Sequence, residues 1–124
     1  MPARCRNCLV THSNPTTFAL TLTASPFTSD QHARALRFGQ AVVAAGHRLQ
    51  QVFFYQDAVM AAQTAASCHA DWARLAEQAG CPLYVCVSAA ERRGVVETAA
   101  PWEIVGLGDW LNGLQVQRHL HFGD

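Results

Sequence analysis

Five cysteines and six histidines are the groups of this chain suited to nucleophilic or metal chemistry, and Cys86 stands out by its setting. It follows the apolar residues Leu83-Tyr84-Val85 and precedes Val87 and Ser88-Ala89-Ala90-Glu91. A short apolar run reads as a strand buried on both faces. The Ser-x-x-Glu pattern reads as a capping box that starts a helix at Ser88. Cys86 is therefore expected at the C-terminal end of a strand, two residues before a helix cap. In open α/β sheets that edge is where sites are built. The unpaired N–H groups and positive end of a helix stabilise a thiolate there, and the thiolate is the nucleophile. Arg92 and Arg93 add positive charge within two turns. Ser88, Arg92 and Arg93 are thus the candidates to support an anionic sulfur on Cys86, and a solvated helix face is the competing reading of the two arginines. For Cys86 itself the competing reading is a buried core thiol that packs as a small hydrophobe.

The remaining candidates carry weaker signals. Cys5-Arg6-Asn7-Cys8 is a single CxxC ahead of every element, whereas a redox CxxC belongs between a strand and a helix. A zinc site would need two more ligands; Cys68-His69 is the nearest source, and no metal is expected. Cys81 adjoins Pro82 at a strand start and reads as packing. It would sit at the opposite end of one strand from Cys86, which argues against a disulfide. His32 falls on a helix after the first strand, near the Cys86 edge; surface exposure and a proton-moving base are the two readings. His119 and His121 alternate on the last strand and share a face. Asp57 ends the second strand and reads as turn-stabilising. Trp72 and Trp102 read as core or interface anchors.

A chain of 124 residues argues for one domain. Only 15% of it is charged, against about 25% in ordinary soluble domains. A surface so poor in charge fits a protein partly covered by other subunits; the competing reading is the many alanines, which raise the apolar count without building patches. Nine arginines, without lysine, balance nine acidic residues, so the basic footprint of a nucleic-acid binder is missing. No apolar stretch is long enough to span a membrane, and the first residues lack a signal-peptide core. A cytoplasmic location and free thiols are expected.

Residues 1–15 lack periodicity and read as a loose leader; residues 16–124 read as the folded domain. Thr17 to Thr23 alternates apolar and hydroxyl residues, as a first strand would. Thr28-Ser29-Asp30-Gln31 predicts a capped helix start, with Ala35, Phe38, Val42 and Ala45 on one face and Gly46 closing it. Leu49 to Tyr55 predicts the second strand. Ser67 is the expected cap of a helix with Trp72, Leu75, Ala76 and Ala79 as its stripe, stopped by Gly80 and Pro82. After the Cys86 strand and Ser88 helix come a short strand at Glu103-Ile104-Val105, a short helix over 109–115 and a closing strand from Arg118 to Phe122. Helical crossings between strands predict a three-layer α/β sandwich with a mostly parallel sheet of about five strands. The loop Ser25 to Asp30, the loop after Tyr55 and Cys86 would then share one edge.

The segment Val85-Cys86-Val87-Ser88-Ala89-Ala90-Glu91-Arg92-Arg93-Gly94-Val95 resembles the DsrE/DsrF-like family of small sulfur-relay proteins, nearest its TusD and DsrE subunits. Gly46-His47 with Val52-Phe53-Phe54-Tyr55-Gln56-Asp57-Ala58-Val59, the Gly106-Leu107-Gly108 turn and the stretch from Arg118 to Asp124 agree with it. The likeness covers roughly residues 16 to 124. Three features depart from the family pattern: the extra leader, a shortened segment from Val96 to Pro101, and Ala58 where a glycine is usual.

The resemblance implies a sulfurtransferase subunit that carries sulfur on Cys86 as a persulfide, without cofactor or metal. It implies sister subunits of the TusB and TusC kind in a hetero-oligomer, an upstream persulfide donor, and an acceptor like TusE or DsrC. TusD proteins serve 2-thiouridine formation in tRNA, and Pro101-Trp102-Glu103 looks more like them. The alternatives are a DsrE-like subunit in sulfur oxidation and a non-catalytic scaffold subunit. A small-ligand binding module lacks support, because no glycine-rich phosphate loop follows the first strand.

Overall fold

The computed structural model describes residues 15–108, 110 and 116–123. Five strands form one sheet: β1 (Thr17–Leu22), β2 (Arg48–Phe54), β3 (Leu83–Cys86), β4 (Trp102–Val105) and β5 (Arg118–Phe122). All four pairings are parallel, in the order β4-β3-β2-β1-β5. Three α-helices, α1 (Gln31–Ala44), α2 (His69–Ala79) and α3 (Val87–Arg92), follow β1, β2 and β3, with a 3-10 segment (Gln56–Ala62) between β2 and α2. The chain steps outward from β1 to β4 and then returns to place β5 on the other side of β1. The expected α/β class and parallel sheet of five strands are observed.

Strand alternation divides the sheet into two faces. Leu20, Leu22, Val52, Phe54, Leu83 and Val85 belong to one buried core with Ala35, Leu36 and Val42 of α1 and Trp72 and Leu75 of α2. Phe54 meets Trp72 edge-on at 5.1 Å, and Phe18 meets Phe38 of α1 at 5.6 Å. On the other face Phe53 stacks on Trp110 at 4.3 Å. There His119 and His121 do share a side of β5, bonded to Thr21 (2.6 Å) and Thr23 (3.1 Å). Trp72 and Trp102 are buried, as expected of anchors.

Helix ends account for most departures from expectation. α1 starts at Gln31 with Asp30 at the cap position; its side chain makes no cap bond, and Ser29 Oγ instead accepts from the Gln31 N–H at 3.1 Å. α2 starts after Cys68, so Ser67 is not its cap. Gly46 and Gly80 end α1 and α2 with φ of 83° and 68°, the left-handed backbone that glycine adopts freely. The helix expected over 109–115 lies largely outside the described residues, as does the leader with Cys5 and Cys8.

Candidate functional site

β3 ends at Cys86 and α3 begins at Val87, with nothing between them. Cys86 itself takes the cap position, with extended backbone (φ −64°, ψ 125°). The capping box is therefore not formed: Ser88 lies inside the first turn and makes no cap bond. Its hydroxyl lies 3.5 Å from the Cys86 sulfur, within reach of a bond in which either atom donates. A hydroxyl so placed can donate to an ionised sulfur. The unpaired N–H groups of the first helical turn belong to the residues immediately after Cys86. The sulfur is covered, since Cys86 is only 2% exposed.

The two arginines part company. Arg93 donates from Nε to Asp57 Oδ1 at 2.9 Å and from Nη1 to the Ala89 carbonyl at 3.1 Å, and its Nη2 pairs with the same carboxylate oxygen at 2.8 Å. Arg92 is exposed and makes no side-chain hydrogen bond or ion pair among the described residues. So the structure brings Ser88 to the sulfur and gives Arg93 to Asp57. Asp57 does more than stabilise its own turn: it ties the segment after β2 to α3. That partnership joins residues 36 apart in the chain, and no local pattern announces it.

The parallel sheet brings the loops after β1 and β2 to the carboxyl edge where α3 begins. Ser25, Thr28, Asp57, Met60 and Arg93 line an open cleft of about 460 Å³ there. Phe27, Val87 and Leu107, which follow three different strands, are exposed apolar residues of the same edge.

His32 is neither exposed nor free. It is buried, donates from Nε2 to the Ala24 carbonyl at 2.7 Å, and accepts at Nδ1 from the Trp72 indole N–H at 3.1 Å. The Cys68 thiol approaches the same nitrogen at 3.8 Å. Burial lowers its pKa, partly offset by the Ala24 bond. A neutral imidazole with both nitrogens engaged is a structural bridge between β1, α1 and α2, so the proton-moving reading fails with the exposed one.

Burial pushes the Cys81 thiol up to about 12 and raises the Cys68 thiol as well. At pH 8 a thiol near 12 is ionised to about one part in ten thousand. Cys81 is expected to stay unlabelled by iodoacetamide in the folded protein and to react once the chain is unfolded in urea. Peptide mass mapping of the two samples checks this; labelling of folded Cys81 would contradict the burial argument. Among the described residues no cluster of three His, Cys, Asp or Glu could hold a metal ion. None of the described helices is long and apolar enough to cross a membrane.

Comparison with known proteins gives the site its context. The sulfurtransferase TusD homolog of Pseudomonas aeruginosa is 38% identical over 111 residues, covering 73% of this chain and 84% of that protein. The sulfurtransferase TusD of an Enterobacter species is 41% identical over 87 residues, covering 64% of this chain and 68% of that protein. Among solved structures, the YchN protein of E. coli shares the fold with a TM-score of 0.75 at 18% identity, over 86% of this chain and 99% of that one. The DsrE/DsrF-like family profile matches residues 17–122, nearly the whole of the described fold, and the chain belongs to that family.

Proposed function

We propose that this protein is a persulfide-carrying sulfurtransferase subunit of a TusBCD-like relay for tRNA 2-thiouridine formation, with Cys86 as the carrier. The observation that supports the reading most is the position of Cys86 at the β3–α3 junction, in a chain whose relatives are named sulfurtransferase TusD. The Cys86 thiolate attacks the terminal sulfur of a donor persulfide. The donor's S–S bond breaks as a new one forms on Cys86, and the donor leaves as a thiolate. An acceptor thiolate then attacks the terminal sulfur and regenerates the Cys86 thiolate. Each step exchanges one S–S bond for another, so no external oxidant or reductant and no cofactor enters.

Ser88 donates to the anionic sulfur, and the first turn of α3 supplies N–H groups to the same charge. Arg92 supplies positive charge along the helix, while the charge of Arg93 is shared with Asp57. The partners are TusB- and TusC-like sister subunits, an upstream persulfide donor and an acceptor like TusE or DsrC, in the cytoplasm. A DsrE-like role in sulfur oxidation uses the same chemistry with a different acceptor.

The test is intact-mass analysis after incubation with a cysteine desulfurase and cysteine, with candidate sister subunits present. Wild type is expected to gain the mass of one sulfur, and Cys86→Ser is expected to gain nothing. A gain that survives in Cys86→Ser would remove Cys86 from the role. The absence of any gain in wild type would favour a scaffold subunit, a reading motivated by the near-complete burial of Cys86.

A further inference from the structure

We propose that Asp57 is a positioning residue for Cys86: its ion pair with Arg93 latches α3 onto the 3-10 segment and keeps the sulfur covered. The importance of the latch for transfer rests on Cys86 being the sulfur carrier. The geometry of the latch stands apart from that reading. Arg93 reaches in two directions at once, to the Ala89 carbonyl within α3 and to Asp57 on the 3-10 segment. Its side chain therefore joins the helix that begins beside Cys86 to an element from elsewhere in the chain.

The packing of α3 on the 3-10 segment, β3 and β4 is made by small side chains. Six residues are too few for a helix to sustain itself in water. Its buried residues are Ala89 and Ala90, whose methyl groups bury little apolar area. Contacts outside its own backbone must place it, and the Arg93 pair is the one ion pair among the described residues that ties it to another element.

The backbone before Asp57 points the same way. Gln56 has φ of 53°, the only non-glycine among the described residues in the left-handed region. That conformation is uncommon outside glycine and persists where surrounding contacts fix it. Asp57, the next residue, supplies such a contact. Gln56 and Asp57 are both exposed, and Arg93 is half-buried, so water and salt reach the latch. Cys86 is covered, yet a sulfur passed between proteins must be touched by both. A partner that loosened Asp57 from Arg93 would release the C-terminal end of α3 from the 3-10 segment and let the helix shift beside Cys86.

The test follows Cys86 labelling by iodoacetamide in the folded protein, read by peptide mass, for wild type, Asp57→Asn, Asp57→Glu and Arg93→Gln. Each is measured in dilute buffer and in about 1 M salt, which weakens a solvent-reached ion pair. Asp57→Asn and Arg93→Gln are expected to react up to about fivefold faster than wild type in dilute buffer, the range open to a solvent-reached pair. Wild type should approach them in salt, and Asp57→Glu should restore the slow, salt-sensitive rate. Equal rates for wild type and Asp57→Asn, or a wild-type rate indifferent to salt, would overturn the proposal. So would labelling of Cys81 in Asp57→Asn, because the pair would then be holding the whole fold. Sulfur loading is measured alongside: wild type that fails to load removes the carrier reading, whereas the labelling rates alone decide the latch.

Discussion

Trp72→Ala is expected to destabilise the protein by about 3–5 kcal/mol, the range for removing a large aromatic from a packed core. Trp72 is fully buried on α2 and meets Phe54 of β2 edge-on. It also donates its indole N–H to His32. The substitution therefore opens a cavity between helix and sheet and strips a buried imidazole of a donor. Trp72→Phe separates the two effects, since it keeps most of the ring and loses the N–H. It is expected to cost about 1–3 kcal/mol, the penalty of a buried polar group left unpaired. Urea unfolding reads both variants as a lower midpoint at unchanged slope. A Trp72→Ala protein as stable as wild type would mean that α2 does not depend on this contact.

His32→Leu is expected to cost about 1–3 kcal/mol for each of the two buried partners it abandons, the Ala24 carbonyl and the Trp72 N–H. It should also change how stability responds to acid. Burial lowers the folded pKa of His32, while the unfolded chain titrates near 6.5. Above that value both states are neutral at this residue and its contribution is intact. As pH falls below it, the unfolded state takes up a proton that the folded state refuses, and stability declines until the folded pKa is passed. His119, also lowered by burial and then by its neighbour His121, adds a change of the same sign. Wild type should therefore lose stability between pH 7 and pH 5, and His32→Leu should lose less of it. Urea midpoints across that range decide the matter. A wild-type midpoint that stays flat, or an undiminished slope in His32→Leu, would sink the assignment.

Much of the frame could be read from residue types in order. β5 has the boundaries expected of it, β2 lies within one residue, and Gly46 and Gly80 end their helices as expected. Apolar runs and left-handed glycines are local signals, and local signals survive folding. Helix starts were less readable because a serine two residues into a helix has the same sequence as one that caps it. At the β3–α3 junction the extended backbone continues through Cys86, which leaves Ser88 inside the helix and beside the sulfur. The burial of His32 follows from the phase of α1. The face that α1 buries runs His32, Ala35, Leu36, Gly39 and Val42, at spacings of three and four from His32, whereas the face expected through Ala45 ends exposed. The strand order and the Asp57–Arg93 pair depend on contacts between distant segments, for which one sequence carries no local mark.

The placement of β5 against β1 has a consequence for how the protein is made. The Thr17 N–H donates to the Gln117 side chain, a contact between residues 100 apart. During synthesis β1 to β4 can assemble in order, each strand joining the last. The free flank of β1 must then wait about a hundred residues for its final partner. Until then a strand carrying Phe18, Leu20 and Leu22 presents unpaired backbone N–H and carbonyl groups, a template for pairing with another nascent chain. The interval before β5 emerges is thus the stage at which a chaperone would matter most to this fold.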